Sequence, residues 1–228
     1  MNIPNSVDTV NIRDYYGLMA RSTAPRPRRK RAGHYHHGDL RRALLEQALQ
    51  TIQAGGIEQV TLRAVGEKLG VSRTALYRHF SDKQALLAAV GTEGFRMLRQ
   101  ALTDAWSKHG GGRAGFEAMG IAYVQFASVH PAHYRVMFGR FIESCSKDAE
   151  LVQEASAAFQ VLVDAVVEQQ QAGLVRQDDP LRLARFDWAV VHGIAMLEID
   201  GQLRGDGEAL SHYAAERLRD ATRASVSA

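Results

Sequence analysis

The chain has 228 residues, a formal net charge of +3 and a hydrophobic fraction of 46%. This length gives room for one large domain or two small ones with real cores. No apolar run reaches the 18 or more residues of a membrane-spanning helix, and the N-terminus lacks the apolar segment of a signal peptide. A single cysteine, Cys145, excludes an internal disulfide framework, so we expect a protein of the reducing cytoplasm with no membrane partner.

The charge is distributed unevenly along the chain. Residues 1–99 contain 16 Lys and Arg against 8 Asp and Glu, a balance of +8. Residues 100–228 contain 12 against 17, a balance of −5. This separation predicts that the N-terminal part meets a polyanion and that the remainder does not.

Residues 1–33 show no sustained periodicity and carry a basic cluster at positions 26–31, so we predict a disordered basic arm. One interpretation is an arm that follows the phosphate backbone or enters a minor groove. The other is a solvated tail that adds only non-specific attraction to DNA. Met19 leaves a later start of the protein open.

The first helix is predicted from about Asp39 to Ala54, where apolar residues recur with the helical period before Gly55-Gly56. Histidines precede it at positions 34, 36 and 37. A metal site would need further ligands, and Asp39 beside them is better placed to cap the helix. We therefore predict no metal site and no cofactor.

The segment 61–83 predicts two short helices joined by a tight turn. Thr61 is placed to cap the first helix, and Gly70 ends it because a residue without Cβ takes the left-handed conformation at little cost. Ser72 is placed to cap the second helix by accepting a hydrogen bond from an unpaired N–H. Next, Ser81 and Gln84 form a capping-box pattern that predicts the start of a third helix.

The second of these helices has one apolar and one basic face. Leu76 and Phe80 are four residues apart and are expected to point inward. The outward residues are Arg73, Thr74, Tyr77, Arg78 and His79. Arginine suits guanine edges, threonine suits a thymine methyl or a phosphate, and tyrosine suits phosphates. This predicts a helix-turn-helix at about 61–80, in a DNA-binding domain of residues 34–82; an ordinary helical hairpin is the alternative.

A long connecting helix is predicted from about Asp82 to Lys108, with Gly91 and Gly94 allowing either a bend or close packing. After a loop at 109–113, further helices are predicted at 114–129, through 134–138, at 149–172, from 180 to about 203, and at 208–224. The fold class is therefore all-α, with residues 83–228 forming a second helical domain.

Large apolar and soft side chains in this domain suit a small, largely apolar effector. The candidate pocket residues are Met119, Tyr123, Phe126, Met137, Phe138, Phe159, Trp188 and His192. A filled core is the alternative, because such stripes at helical spacing also occur in cores. His192 in an apolar helix is expected to be a buried, hydrogen-bonded histidine.

The helix-turn-helix segment resembles the signature of TetR-type transcriptional regulators. The matching residues are Thr61, Val65, Gly70, Val71, Ser72, Leu76, Tyr77, His79, Phe80 and Lys83. Gly66 departs from the family pattern, which usually has alanine there. In addition, Trp188, His192 and Gly193 resemble the Trp-x-x-x-His-Gly pattern of one subclass of the C-terminal domains.

The resemblance implies an effector-released repressor that binds a pseudo-palindromic operator in double-stranded DNA, as a homodimer formed through the last two long helices. We expect Arg73, Thr74 and Ala75 to contact bases. The residues expected at phosphates are Thr61, Arg63, Tyr77, His79 and Lys83. Ser72 and Arg78 complete the set of expected DNA-contact residues. The alternative is a ligand-sensing or protein-interaction helical protein without sequence-specific DNA binding. No phosphate loop, zinc-protease motif, cysteine pair or nucleophile elbow occurs, so neither catalytic residues nor enzyme activity are expected.

Overall fold

The computed structural model describes residues 40–140 and 148–222, and these residues form helices joined by short connections. The predicted basic arm, the histidines at 34–37, Asp39, Met19, Cys145 and the last residues of the C-terminal helix lie outside the described residues. The helices are α1 (Leu40–Gly55), α2 (Leu62–Leu69), α3 (Arg73–His79), α4 (Lys83–Lys108), α5 (Gly112–Val129), α6 (Pro131–Met137), α7 (Ala149–Gln171), α8 (Pro180–Ile199) and α9 (Gly207–Thr222). A 3₁₀ turn, Ile57–Gln59, follows α1. The prediction of an all-α fold is confirmed.

The first three helices share a small apolar core. It contains Leu44 of α1, Val65 of α2 and Leu76 of α3, each at most 2% exposed. Gly70 has a φ of 67°, so the left-handed cap that ends α2 is present as the sequence predicts. At Gly66 a Cβ atom would lie 3.3 Å from Leu76 Cδ2, so the glycine lets α3 pack closely on α2.

The start of α4 differs from the prediction by one residue. Asp82, not Ser81, is the N-cap, and its Oδ1 accepts a hydrogen bond of 2.8 Å from the Ala85 N–H. The Ser81 hydroxyl instead donates to Asp82 Oδ2 at 3.3 Å. A carboxylate makes the stronger, charge-assisted cap, and this explains why the aspartate takes the position.

Helix α4 is one uninterrupted helix of 26 residues that packs against α5, α6 and α7. A Cβ atom at Gly94 would lie 2.9 Å from Met137 Cγ and 3.3 Å from His133 Cβ. Of the two interpretations of this glycine, the structure favours close packing, because α6 lies directly against the α4 backbone.

In the C-terminal part, the start of α5 and the end of α8 differ from the predicted boundaries by more than one residue. Helix α5 begins at Gly112, after Gly111 with a φ of 68°, rather than at Ala114. Helix α8 ends at Ile199 rather than near Leu203, because Gly201 takes a φ of 71° and turns the chain toward α9. Within residues 40–140 and 148–222, no helix combines the length and the apolar character that crossing a bilayer requires.

Candidate DNA interface and ligand cavity

Helix α3 is held in place at its start and along its inner face. The Ser72 hydroxyl oxygen accepts a 3.2 Å hydrogen bond from the Ala75 N–H, as Thr61 does for the Ala64 N–H at 3.0 Å one helix earlier. Both predicted caps are present. Leu76 and Phe80 are 2% and 3% exposed, so the inner face of α3 is packed.

The outer face of α3 carries the predicted basic and polar side chains. The exposed residues are Arg73, Thr74, Tyr77, Arg78 and His79, whereas Ala75 is half-buried. The Arg73 guanidinium lies 5.5 Å from the centre of the Tyr77 ring, a cation–π contact that orients both side chains. We call this exposed surface of α3 the basic face.

Thr61, Arg63 and Ser72 flank the basic face and are exposed. The two hydroxyls act as cap acceptors, and each retains its own proton for a phosphate oxygen. Arg63 Nε donates to Glu67 Oε1 at 2.7 Å, and this hydrogen bond raises the pKa of the guanidinium. The ion pair is fully in solvent and of small net stabilisation, so Arg63 is able to exchange Glu67 for a phosphate.

Lys83 has an intramolecular role that the sequence did not indicate. Its Nζ donates to the Ile57 carbonyl at 2.9 Å, which ties the first turn of α4 to the 3₁₀ turn after α1. The side chain is half-buried rather than free-standing. The phosphate contact of Lys83 stays a prediction.

A cavity of about 650 Å³ lies in the C-terminal part, with walls contributed by α4 to α9. Six of the eight predicted pocket residues line it: Met119, Tyr123, Met137, Phe138, Phe159 and Trp188. Phe126 and His192 are not part of the lining. Phe126 is 5% exposed and packs its ring against His130, so it belongs to the core.

Helix α4 also contributes to the cavity wall, which the sequence pattern did not indicate. Phe95, Leu98 and Leu102 of this helix line the wall. Their i, i+3, i+7 spacing was visible as an apolar stripe, but the stripe alone does not distinguish a cavity wall from a packed core. The connecting helix is therefore in direct contact with the cavity.

His192 belongs to a hydrogen-bond network with two tyrosines and a tryptophan. Trp188 Nε1 donates to Tyr123 Oη at 3.0 Å, and Tyr134 Oη lies 3.0 Å from Tyr123 Oη and 2.7 Å from His192 Nδ1. Trp188 and His192 are i and i+4 on α8, so their side chains lie on the same face of the helix.

Burial keeps this network neutral. It raises the pKa of Tyr134, raises that of Tyr123 to about 12, and lowers the pKa of His192. The expectation of a hydrogen-bonded histidine at 192 therefore agrees with the geometry, and its role is to hold α8 against α5 and α6.

Few polar residues line the cavity. They include Arg185 and Asp187 of α8 and Ser211 of α9. Asp187 is 7% exposed, and burial raises the pKa of its carboxyl to about 7. The sequence contained a signal for it, because Asp187 interrupts the apolar stripe formed by Ala184, Trp188 and Val191.

The fold and site define a transcriptional regulator with a helix-turn-helix DNA-binding domain. Residues 44–90 match the model of the tetR family of bacterial regulatory proteins. Residues 116–221 match the model of the tetracycline-repressor-like C-terminal domain. The two segments together make up more than half of the chain, and the chain belongs to the TetR family.

Individual relatives agree with this assignment. The chain is 34% identical over 95 residues to the class C tetracycline repressor of Escherichia coli, covering 40% of this chain and 43% of that protein. Its matches span about half the length of the curated relatives. A structure of a protein of unknown function from Rhodococcus sp. RHA1 is 34% identical, with a TM-score of 0.75 over 83% of this chain and 98% of that one. The regulator FadR of Bacillus subtilis, in complex with stearoyl-CoA, shares the fold at 15% identity, with a TM-score of 0.65 over 78% and 96%.

Proposed function

We propose that the chain is an effector-released repressor that binds a pseudo-palindromic operator as a homodimer. The observation that carries this proposal is the basic face of α3, exposed and fixed by Ser72, Leu76 and Phe80. In a helix-turn-helix the second helix enters the major groove, so this face would meet base edges and phosphates. The proposal divides the chain into a basic arm at 1–33, a DNA-binding domain at 34–82 and an effector and dimerisation domain at 83–228.

The base contacts are assigned to the N-terminal end of α3. Arg73, Thr74 and Ala75 are there, and the N-terminal residues of a recognition helix are the ones that reach base edges. The residues assigned to phosphates are Thr61, Arg63, Tyr77, Arg78, His79 and Lys83, with the Ser72 hydroxyl. Exposure of the side chains supports these roles for all of the residues except Ala75 and Lys83, which are half-buried.

The homodimer is assigned to α8 and α9. On α8, the side chain of Phe186 is 53% exposed and that of Leu197 is 39% exposed. Gly193 lies between them, and a Cβ atom added there would meet no atom of the described residues within 4 Å. Exposed apolar side chains with a small residue between them favour close approach of another helix. We propose that a second copy of this chain covers this stripe. The Trp-x-x-x-His-Gly subclass is part of the same proposal, supported by the Trp188–His192 network.

Effector release is assigned to α6, which contacts both the cavity and the DNA-binding part. Met137 lines the cavity and packs against Gly94 of α4, while Gly139, two residues after the end of α6, lies close to Ile57 in the turn after α1. A ligand that displaces Met137 would shift α6 against both neighbours. Release follows if the ligand binds this shifted arrangement better than the DNA-bound one. FadR, with its stearoyl-CoA, supports a largely apolar effector in a fold of this kind.

The DNA proposal is tested by titrating the protein against the DNA upstream of its own gene and against a scrambled control, at two salt concentrations. We expect preference for the upstream DNA that persists at the higher salt. Arg73→Ala should reduce the preference for particular bases. Arg78→Ala should weaken binding to all sequences alike and make the affinity less dependent on salt concentration. Equal, salt-labile binding of both DNAs by the wild type would contradict sequence-specific recognition.

The dimer proposal is tested by sedimentation of Leu197→Glu. A charge in an apolar helix interface should convert the dimer to monomer. The matched control is Val129→Glu on α5, since Val129 is 70% exposed and lies outside the proposed interface. Dimers of unchanged affinity for Leu197→Glu would contradict the assignment to α8.

A further inference from the structure

Asp187 places a buried carboxyl on the wall of an otherwise apolar cavity. It lies on the inward face of α8, 7% exposed, next to Trp188 and one turn before Val191, and all three residues line the cavity. Within the part of the chain that the structure describes, no group donates a hydrogen bond to this carboxyl or forms an ion pair with it. An acid that is buried without a partner disfavours its charged form and costs free energy of folding.

The other polar groups of the lining do not supply the missing partner. The Ser211 hydroxyl donates to the Gly207 carbonyl at 2.8 Å, so its proton is used within α9. The Tyr123 hydroxyl belongs to the network with Trp188, Tyr134 and His192. Arg185 lines the cavity but is solvent-exposed, and burial is the cause of the raised pKa of Asp187.

We propose that the effector is an apolar amine whose ammonium group pairs with the Asp187 carboxylate while its hydrocarbon part fills the cavity. This inference rests on the proposed function and specifies the chemical class of its effector. A cation supplies both the opposite charge and the hydrogen-bond donors that the buried carboxylate lacks. A neutral alcohol supplies one donor and no charge, and an anion is repelled by the carboxylate.

The shape of the site agrees with this class of ligand. About 650 Å³ lies within the ordinary range of small-molecule sites, roughly 300–1,000 Å³. The walls are formed mainly by aromatic, leucine and methionine side chains, so most of the ligand must be hydrocarbon. A carboxylate-bearing ligand would instead need Arg185, which is exposed, and would bring its charge close to Asp187.

The experiment compares three probes with the same hydrocarbon chain: decylamine, decanol and decanoate, each below its micellar concentration. Binding is measured by calorimetry at pH 8 on the wild type, Asp187→Asn and Asp164→Asn. Asp164 is an exposed aspartate of α7 that accepts a hydrogen bond from Gln160, so its variant makes the same change of charge outside the cavity.

We expect the wild type to bind decylamine at least tenfold more tightly than decanol. Asp187→Asn should weaken decylamine binding by about tenfold or more and leave decanol within about threefold, because only the charged pair is lost. Asp164→Asn should bind all three probes as the wild type does. Thermal unfolding of each variant verifies that it is folded.

A second measurement needs no variant. Three of the described residues that line the cavity carry or can acquire a charge: Asp187, Tyr123 and Arg185. Between pH 6 and pH 8 only Asp187 changes its charge, because the pKa of Tyr123 is about 12 and arginine stays protonated. His192, outside the lining, has a lowered pKa. With the Asp187 pKa near 7, the affinity of the wild type for decylamine should fall about tenfold from pH 8 to pH 6, and that for decanol should not fall.

The outcomes separate this inference from the repressor proposal. Equal binding of decylamine and decanol, tighter binding of decanoate, or decylamine binding that is unchanged in Asp187→Asn would each overturn the amine assignment. Binding of none of the three probes would overturn it as well. In every case the titration of ligand-free protein with upstream DNA decides the repressor proposal independently.

Discussion

Nδ1 of His192 lies 2.7 Å from the hydroxyl of Tyr134, and this contact joins α8 to α6. Tyr134 is completely buried, and its hydroxyl also reaches Tyr123 of α5. Helix α8 carries the stripe that we assign to the dimer, and α6 packs on the connecting helix α4. The network is therefore a rigid polar junction between the parts of the chain that an effector-driven shift would have to move.

Tyr134→Phe tests how much this junction contributes to stability. The substitution keeps the ring and removes the hydroxyl, which leaves the buried groups of His192 and Tyr123 with one partner fewer. We expect a loss of about 1–3 kcal/mol in the free energy of unfolding, measured by urea denaturation. The control is Tyr77→Phe on α3, where the tyrosine is 46% exposed and the expected change is below about 0.5 kcal/mol. Similar losses for both variants would contradict a specific role for the buried hydroxyl.

Gly94→Ala tests the close packing of α6 on α4. The added methyl would lie 2.5 Å from Met137 Sδ and 3.3 Å from His133 Cβ, so the Met137 side chain or α6 itself has to shift. We expect a net destabilisation of about 1–3 kcal/mol, although alanine is intrinsically the better helix former.

The matched control is Gly120→Ala in α5. There the nearest atom to the new methyl, Val191 Cγ1, is at an ordinary distance of 3.7 Å. This variant should gain about 0.5–1 kcal/mol from helix propensity. Thermal unfolding of the two variants compares the signs, and a gain for Gly94→Ala would show that α6 yields easily.

The features that sequence predicted best are local ones. Each helix cap in the helix-turn-helix, at Thr61, Gly70 and Ser72, involves only residues three or four positions away. Both members of each interaction can therefore be read from a short stretch of sequence. The cap of α4 was predicted at the wrong residue, because Ser81 and the adjacent Asp82 are both chemically suited to cap a helix. The structure shows that Asp82 is the cap.

Features that depend on distant residues could not be predicted in this way. Lys83 reaches a carbonyl 26 positions away, and Trp188 reaches a hydroxyl 65 positions away. A helical stripe indicates which residues face inward, but not whether they meet another side chain or a cavity. This is why the stripe pattern did not separate the six predicted residues that line the cavity from Phe126 and His192, which face packed neighbours.

Lys83→Met tests whether Lys83 supports the fold in addition to any contact with DNA. The variant keeps the length of the side chain and loses the hydrogen bond to the Ile57 carbonyl, so we expect destabilisation by about 1 kcal/mol. DNA affinity should fall for all sequences alike, since the turn after α1 supports the whole unit. Arg63→Ala is the comparison: it removes a fully exposed ion pair with Glu67 and should leave the melting temperature unchanged. An unchanged melting temperature for Lys83→Met would contradict the supporting role.

Asp187→Asn should stabilise the protein, and the gain should grow with pH. The folded-state pKa of Asp187 is about 7, above the unfolded value of about 3.9, because burial penalises the carboxylate. The protonated form therefore makes its full contribution to the free energy of unfolding below about pH 4, and this contribution is lost as the pH rises through about 7.

At pH 8 the folded wild type buries a charge that the asparagine variant lacks, whereas at pH 5 the folded wild type is neutral there. The gain in the free energy of unfolding on Asp187→Asn should be about 2–3 kcal/mol larger at pH 8 than at pH 5. Paired urea titrations at the two pH values measure it, and the other titrating groups cancel because both proteins contain them. A gain that is the same at both pH values would show that Asp187 is not held in the buried, unpartnered state on which the amine assignment depends.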